Sequence, residues 1–127
     1  MASAVAPSLV LSCYGHTDVM RSLLRMEGID VNQARTDDGT TPLLIACEYG
    51  NLDVVLNLIG AEGIDVNQGS TDDGMVPLYA AAQEGYVDVV QALVQAEGID
   101  VNKAKTDTGS TPLFTASEYG RHEVVQV

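Results

Sequence analysis

The sequence contains no tryptophan, one phenylalanine and only two cysteines. A core without large aromatic side chains must be aliphatic, and a hydrophobic content of 46% is enough to build one in a single domain of 127 residues. Cys13 and Cys47 are too few for a disulfide framework and lie at no metal-ligand spacing, so we expect an intracellular, cytoplasmic protein. No apolar run approaches the ~20 residues that span a bilayer, so we expect no membrane segment.

Basic residues are also scarce. Six Lys and Arg face eighteen Asp and Glu, and the formal net charge is -12. Nucleic acid and anionic membranes would repel such a chain, whereas a basic protein would be attracted to it. An equally simple interpretation is that the charge only keeps the protein soluble. The charge therefore disfavours nucleic acid and membranes as partners and permits a basic protein.

What the sequence does contain is a repeat. The string Gly-Ile-Asp-Val-Asn begins at Gly28, Gly63 and Gly98, which are 35 residues apart, and 20 of 35 positions are identical between 28–62 and 63–97. A fixed period of this size indicates stacked units that bury their apolar faces on one another. We divide the single domain into a partial unit 1, complete units 2 and 3 and a truncated unit 4, which span residues 1–27, 28–62, 63–97 and 98–127.

Each unit is predicted to contain two short helices. In unit 2, Thr41-Pro42 is typical of a helix start, Gly50 of a helix end, and Asp53 of the start of a second helix. Val76 takes the place of this Thr in unit 3, so we expect a weaker helix start there. The pattern predicts helices near residues 7–14, 17–26, 42–49, 52–60, 77–84, 87–96 and 112–119, and a short one from about 122.

Residues 41–50, Thr-Pro-Leu-Leu-Ile-Ala-Cys-Glu-Tyr-Gly, resemble the ankyrin signature Thr-Pro-Leu-His-x-Ala-x-x-x-Gly. Residues 63–67 are similar to the family's Gly-Ala-Asp-Val-Asn exit. The period of 35 is longer than the family's usual period of about 33 residues. The resemblance implies an all-α ankyrin-repeat solenoid of about three and a half repeats, with a non-catalytic role in protein–protein interaction.

In that family the loop tips and one face of the first helix line a concave groove. Aligning the units to the family gives the candidate partner-binding residues Tyr14, Asp37, Asp38, Leu44, Glu48, Tyr49, Asp72, Asp73, Met75, Tyr79, Gln83, Glu84, Asp107, Phe114, Glu118 and Tyr119. The same alignment places Arg35, Ser70 and Lys105 in the loops. Aromatic side chains among acids suit protein recognition. We expect Tyr49 and Tyr119 to be exposed, whereas Tyr79 and Phe114 are as well explained by packing against the adjacent helix.

The sequence predicts no enzyme, metal site or cofactor. His16 and His122 are far apart in the array and lack a Cys or carboxylate cluster at ligand spacing. The Asp-Gly pairs of the loops are typical of turns, and no calcium-binding loop pattern surrounds them. Two alternatives to a binding module stay open: a spacer within a longer array, and an accessory part of a multidomain enzyme.

The C-terminal end is predicted to lack a polar capping repeat, because unit 4 stops within its second helix. The residues expected to be poorly covered there are Val89, Val90, Leu93, Val124 and Val125. An apolar end of this kind favours weak self-association.

Overall fold

The computed structural model describes residues 17–26 and 28–126. Within these residues the chain forms seven α-helices and no strand. The helices are α1 (Thr17–Leu24), α2 (Pro42–Glu48), α3 (Leu52–Ile59), α4 (Pro77–Glu84), α5 (Val87–Val94), α6 (Pro112–Glu118) and α7 (His122–Val125). The all-α prediction is confirmed, and the predicted helix at 7–14, together with Tyr14, lies outside the described residues. In the part of the chain described, no helix is long and apolar enough to cross a membrane.

The helix ends follow from local sequence. Thr41 has an extended backbone, and its Oγ1 accepts a hydrogen bond from the Leu44 N–H at 3.1 Å, which satisfies one of the free donors of α2. Thr111 caps α6 in the same way. Val76 keeps the extended conformation but makes no side-chain hydrogen bond to α4, which is consistent with the weaker helix start expected there.

The helices stack in two rows. The first helices of successive units, α2, α4 and α6, pack side by side, and the second helices α1, α3, α5 and α7 form the other row. Leu58, Leu93 and Val55 are fully buried in the core, and Val90 is only 3% exposed. Burial of these positions is the expected source of stability for helices of about two turns, which are marginal alone.

The loops of successive units are hydrogen-bonded to one another. The Thr71 N–H donates to the Asp38 carbonyl at 3.0 Å, and the Thr106 N–H donates to the Asp73 carbonyl at 2.9 Å. Nearer the helices, the Asn32 side-chain amide donates to the Gly63 carbonyl, and its oxygen accepts from the Asp65 N–H, both at 2.7 Å. These bonds fix the register between units, so the side chains of adjacent loops lie at defined separations.

The prediction for the C-terminal end is wrong for most of the residues named. Val89, Val90, Leu93 and Val124 are buried, because α6 and α7 pack over α4 and α5, and only Val125 is exposed. The most exposed apolar side chains at this end lie instead on α6, at Leu113 and Phe114. The first helix of unit 4 is thus less covered than the second helices.

Candidate functional site

An open groove with a volume of about 480 Å³ lies between units 2 and 3. It is formed by α2, α4 and the loops that precede them. Its lining residues are Arg35, Asp38, Thr40, Leu44, Ile45, Glu48, Tyr49, Ser70, Asp72, Asp73, Met75, Ala80, Gln83 and Glu84. Nine of the predicted partner-binding residues are among them: Asp38, Leu44, Glu48, Tyr49, Asp72, Asp73, Met75, Gln83 and Glu84.

The other predicted residues lie elsewhere. Asp37 and Asp107 are exposed in their loops, and Phe114, Glu118 and Tyr119 are exposed on α6 and the turn after it. Tyr14 lies outside the described residues. Tyr49 and Tyr119 are about half exposed, as expected. The surface suggested by the alignment is therefore divided into a groove at units 2 and 3 and an exposed face on unit 4.

Two of the predicted residues are not accessible to a partner. Leu44 is 1% exposed and Tyr79 is 6% exposed, because the first helix of the next unit packs against each of them. Phe114 occupies the equivalent position in unit 4 and is exposed. Of the two alternatives, packing against the adjacent helix is correct for Tyr79, and exposure to solvent is correct for Phe114. Leu44 contributes to the groove only as part of its floor, together with Ile45 and Ala80, which the alignment did not suggest.

Negative charge is concentrated at the groove. Units 2 and 3 carry twelve of the eighteen acidic residues, with Arg35 as their only basic residue, whereas unit 4 carries four acidic residues and Lys103, Lys105 and Arg121. Five carboxylates line the groove, from Asp38, Glu48, Asp72, Asp73 and Glu84.

The groove perturbs the ionisation of Glu48. Partial burial raises the pKa of its carboxyl above the ordinary value, and the negative charges of Asp38, Asp73, Glu84 and Asp72 raise it further. Both causes act against a negative charge, and a cation entering the groove would relieve the second of them. The groove is thus electrostatically suited to a positively charged ligand.

Arg35 compensates for part of this charge at one end of the groove. Its Nη2 lies 2.6 Å from Asp37 Oδ2, and its Nε lies 4.0 Å from Asp38 Oδ1. The hydrogen bond from Arg35 lowers the pKa of the Asp37 carboxyl below its ordinary value. Of these two carboxylates, that of Asp37 at the loop tip is therefore the closer to the guanidinium, and that of Asp38 lies at the limit of an ion pair.

Lys105 is bound between the loops of units 3 and 4. Its Nζ lies 3.2 Å from Asp73 Oδ2, 3.8 Å from Asp107 Oδ2 and 5.3 Å from the centroid of the Tyr79 ring. Partial burial acts to lower the pKa of Lys105, but the hydrogen bond and charge of Asp73 outweigh it and raise that pKa. Partial burial likewise acts to raise the pKa of Asp73, and hydrogen bonds from Ser70 and Lys105 lower it. Lys105 and Asp73 thus form an ion pair between the loops of units 4 and 3.

The described residues contain no group of three or more His, Cys, Asp or Glu side chains placed to hold a metal ion. The Asp side chains of the loops instead bond to neighbouring backbone N–H groups, as when Asp38 Oδ1 accepts from Thr40 at 3.0 Å. This geometry is that of turn-forming residues.

A family model described as ankyrin repeats in three copies matches residues 7–70 and 67–127. No curated protein matches the chain.

Proposed function

Because this chain belongs to the ankyrin-repeat family, we propose that it is a non-catalytic interaction module that holds a basic segment of a partner protein in the groove between units 2 and 3. Ankyrin repeats mediate protein–protein interaction, and the family is typically non-catalytic. The observation that carries the proposal is a groove of about 480 Å³ lined by five carboxylates and one basic side chain. Opposite charge there accelerates association and selects the partner.

Tyr49 adds a second kind of contact at the groove. This residue is 56% exposed and follows Glu48 directly at the end of α2. A tyrosine buries much surface at small entropic cost, and its face attracts cations. A lysine- or arginine-rich segment would therefore combine ion pairs with packing against an aromatic ring.

The test compares two variants that change the net charge equally. Asp72→Lys with Glu84→Lys reverses charge in the groove, and Glu62→Lys with Glu97→Lys reverses it at exposed positions outside the groove lining. We expect the groove variant to lose binding of a peptide of alternating lysine and glycine, measured by fluorescence anisotropy, and the matched variant to keep most of it. Equal losses would show that only the overall charge matters, which would reject the groove.

The exposed face of α6 supports a second interaction, with a second copy of the chain. Leu113 is 58% exposed and Phe114 56%, whereas the equivalent residues of unit 3, Leu78 and Tyr79, are 3% and 6% exposed under α6. Unit 4 is nearly neutral, so two copies can approach through it without the repulsion that units 2 and 3 would cause. The face therefore combines an apolar surface with a low net charge, and both favour a weak contact between two copies.

Light scattering over a concentration series tests this contact. We expect the mean mass of the parent to rise with concentration and Phe114→Asp to abolish this rise. Tyr119→Asp makes the same change in charge outside the apolar pair and should leave the rise in place. A constant monomer mass at the highest concentrations would reject self-association. A spacer or enzyme-accessory role would be favoured instead if neither the groove nor the α6 variants changed any binding.

A further inference from the structure

The internal site of Lys105 shows how this fold holds an ammonium group. The lysine comes from the loop of unit 4 and contacts one carboxylate of the preceding unit, Asp73, and one of its own loop, Asp107. The Tyr79 ring faces the ammonium from the side of the helices, and only 14% of the lysine side chain is exposed.

The junction between units 2 and 3 has the same carboxylates without the lysine. The positions equivalent to Asp73 and Asp107, one repeat of 35 residues earlier, are Asp38 and Asp72. The position equivalent to Lys105 is Ser70. All three of these residues line the groove, so the volume that the lysine side chain fills at one junction is open at the other. The serine hydroxyl is turned to Asp73 Oδ1, 2.7 Å away, and does not neutralise the Asp38 and Asp72 pair.

We infer that the groove has a specific seat for one lysine side chain of a bound protein, whose ammonium lies between Asp38 and Asp72 as that of Lys105 lies between Asp73 and Asp107. The inference rests on the proposed function and names the residue that the groove recognises. Leu44 takes the place of Tyr79, so the seat lacks the aromatic ring that faces the ammonium of Lys105.

Lysine suits the seat better than arginine. The ammonium is compact, whereas a planar guanidinium would have to share Asp38 with Arg35, whose Nε already lies 4.0 Å from its carboxylate. Glu48 and Glu84 line the same groove and add negative charge around the seat.

The decisive variant is Ser70→Lys, which places the chain's own lysine in the seat. Position 70 has the backbone geometry of position 105: Ser70 N–H donates to the Met75 carbonyl at 3.0 Å, and Lys105 N–H donates to the Ser110 carbonyl at 2.9 Å. We expect the variant to fold and to bind a peptide of alternating lysine and glycine at least about tenfold more weakly, because truncating or masking one partner of a charge pair has effects of this size.

Two controls separate the seat from general effects. Ser70→Ala removes the hydroxyl and leaves the seat open, so it should bind nearly as the parent does. Glu62→Gln makes the same change in net charge as Ser70→Lys at an exposed position outside the groove lining, and it should also bind nearly as the parent. Melting curves by circular dichroism confirm that each variant is folded. If Ser70→Lys is not folded, comparison of the parent's binding to the peptide before and after acetylation of the peptide lysines takes its place.

Amide chemical shifts of the parent, titrated with the same peptide, distinguish the outcomes. Shifts centred on residues 38, 70 and 72, lost on acetylation of the peptide lysines and in Ser70→Lys, would support the seat. Shifts in the groove that are lost on acetylation, with unchanged affinity in Ser70→Lys, would overturn the seat and leave the acidic groove in place. Equal binding of the acetylated peptide would overturn both, because neither would then recognise positive charge. No binding, or shifts confined to other surfaces, would overturn both.

Discussion

Gly39 offers the sharpest test of how the loops stack. Its φ is +73°, and a Cβ built on it would lie 2.6 Å from the backbone nitrogen of Thr71 in the next loop. Gly63 has a similar φ of +81°, but no atom of the described residues lies within 4 Å of its Cβ position. Gly39→Ala and Gly63→Ala therefore share the backbone strain and differ only in the contact between units.

The expected difference between the two variants follows from that contact. A non-glycine residue in the left-handed region costs about 1–2 kcal/mol in both cases. In Gly39→Ala the new methyl group must also displace Thr71, with an overpacking cost of about 1–3 kcal/mol. The displacement strains the hydrogen bond from Thr71 N–H to the Asp38 carbonyl, which is 3.0 Å long and worth about 1 kcal/mol. Gly39→Ala should thus be less stable than Gly63→Ala by about 2–4 kcal/mol.

Urea unfolding followed by far-ultraviolet circular dichroism measures both free energies of unfolding under the same conditions. The parent and the two variants need comparable slopes for the comparison to reflect the folded state. Equal destabilisation of the two variants would refute the close approach of the loops, and with it the register on which the groove and the Lys105 site depend.

Three further changes test other parts of the structure. Val76→Thr should restore the missing cap of α4 and raise the free energy of unfolding by about 1 kcal/mol in urea titrations, and no gain would contradict the capping argument. Leu93→Ala, at a buried site, should lower the free energy of unfolding by about 2–5 kcal/mol, whereas Leu113→Ala, at an exposed site, should change it by only about 0.5 kcal/mol. Thermal melts compare the two variants, and similar losses of stability would mean that burial is misassigned. Because the raised pKa of Glu48 makes the folded state bind its proton more tightly, ionisation of Glu48 reduces stability as the pH rises from the ordinary carboxyl pKa through the raised one. Glu48→Gln should remove that decline in a series of urea midpoints, and an unchanged profile would contradict the desolvated, acidic groove.

The helices could be predicted from the sequence because their ends are determined locally. Thr41 and Thr111 cap the first turns, proline follows each of them, and Gly50 ends α2 with a φ of +68°. None of these features depends on distant residues. The observed helices therefore end within two residues of the predicted positions.

The side-chain environments could not be predicted in the same way, since they depend on the neighbouring unit. Leu44, Tyr79 and Phe114 occupy one position of the repeat, yet only Phe114 is exposed, because α4 covers the first and α6 the second. The period alone gives the order of the units but not which face of each helix the next unit covers. The error at Val89 and Leu93 has the same origin.

The difference between the two junctions shows how a nearly regular framework can carry one specific site. The hydrogen bonds between loops are the same at both, from Thr71 to Asp38 and from Thr106 to Asp73. Lys105 offsets part of the negative charge of its own junction, whereas the serine at the equivalent position of unit 3 offsets none. Because such loop side chains lie beside the bonds that hold the units together, a change there alters the charge of a junction while the stacking stays intact. Recognition in this chain should therefore depend on the few loop positions at which the repeat is broken, and its stability on the positions at which the repeat is kept.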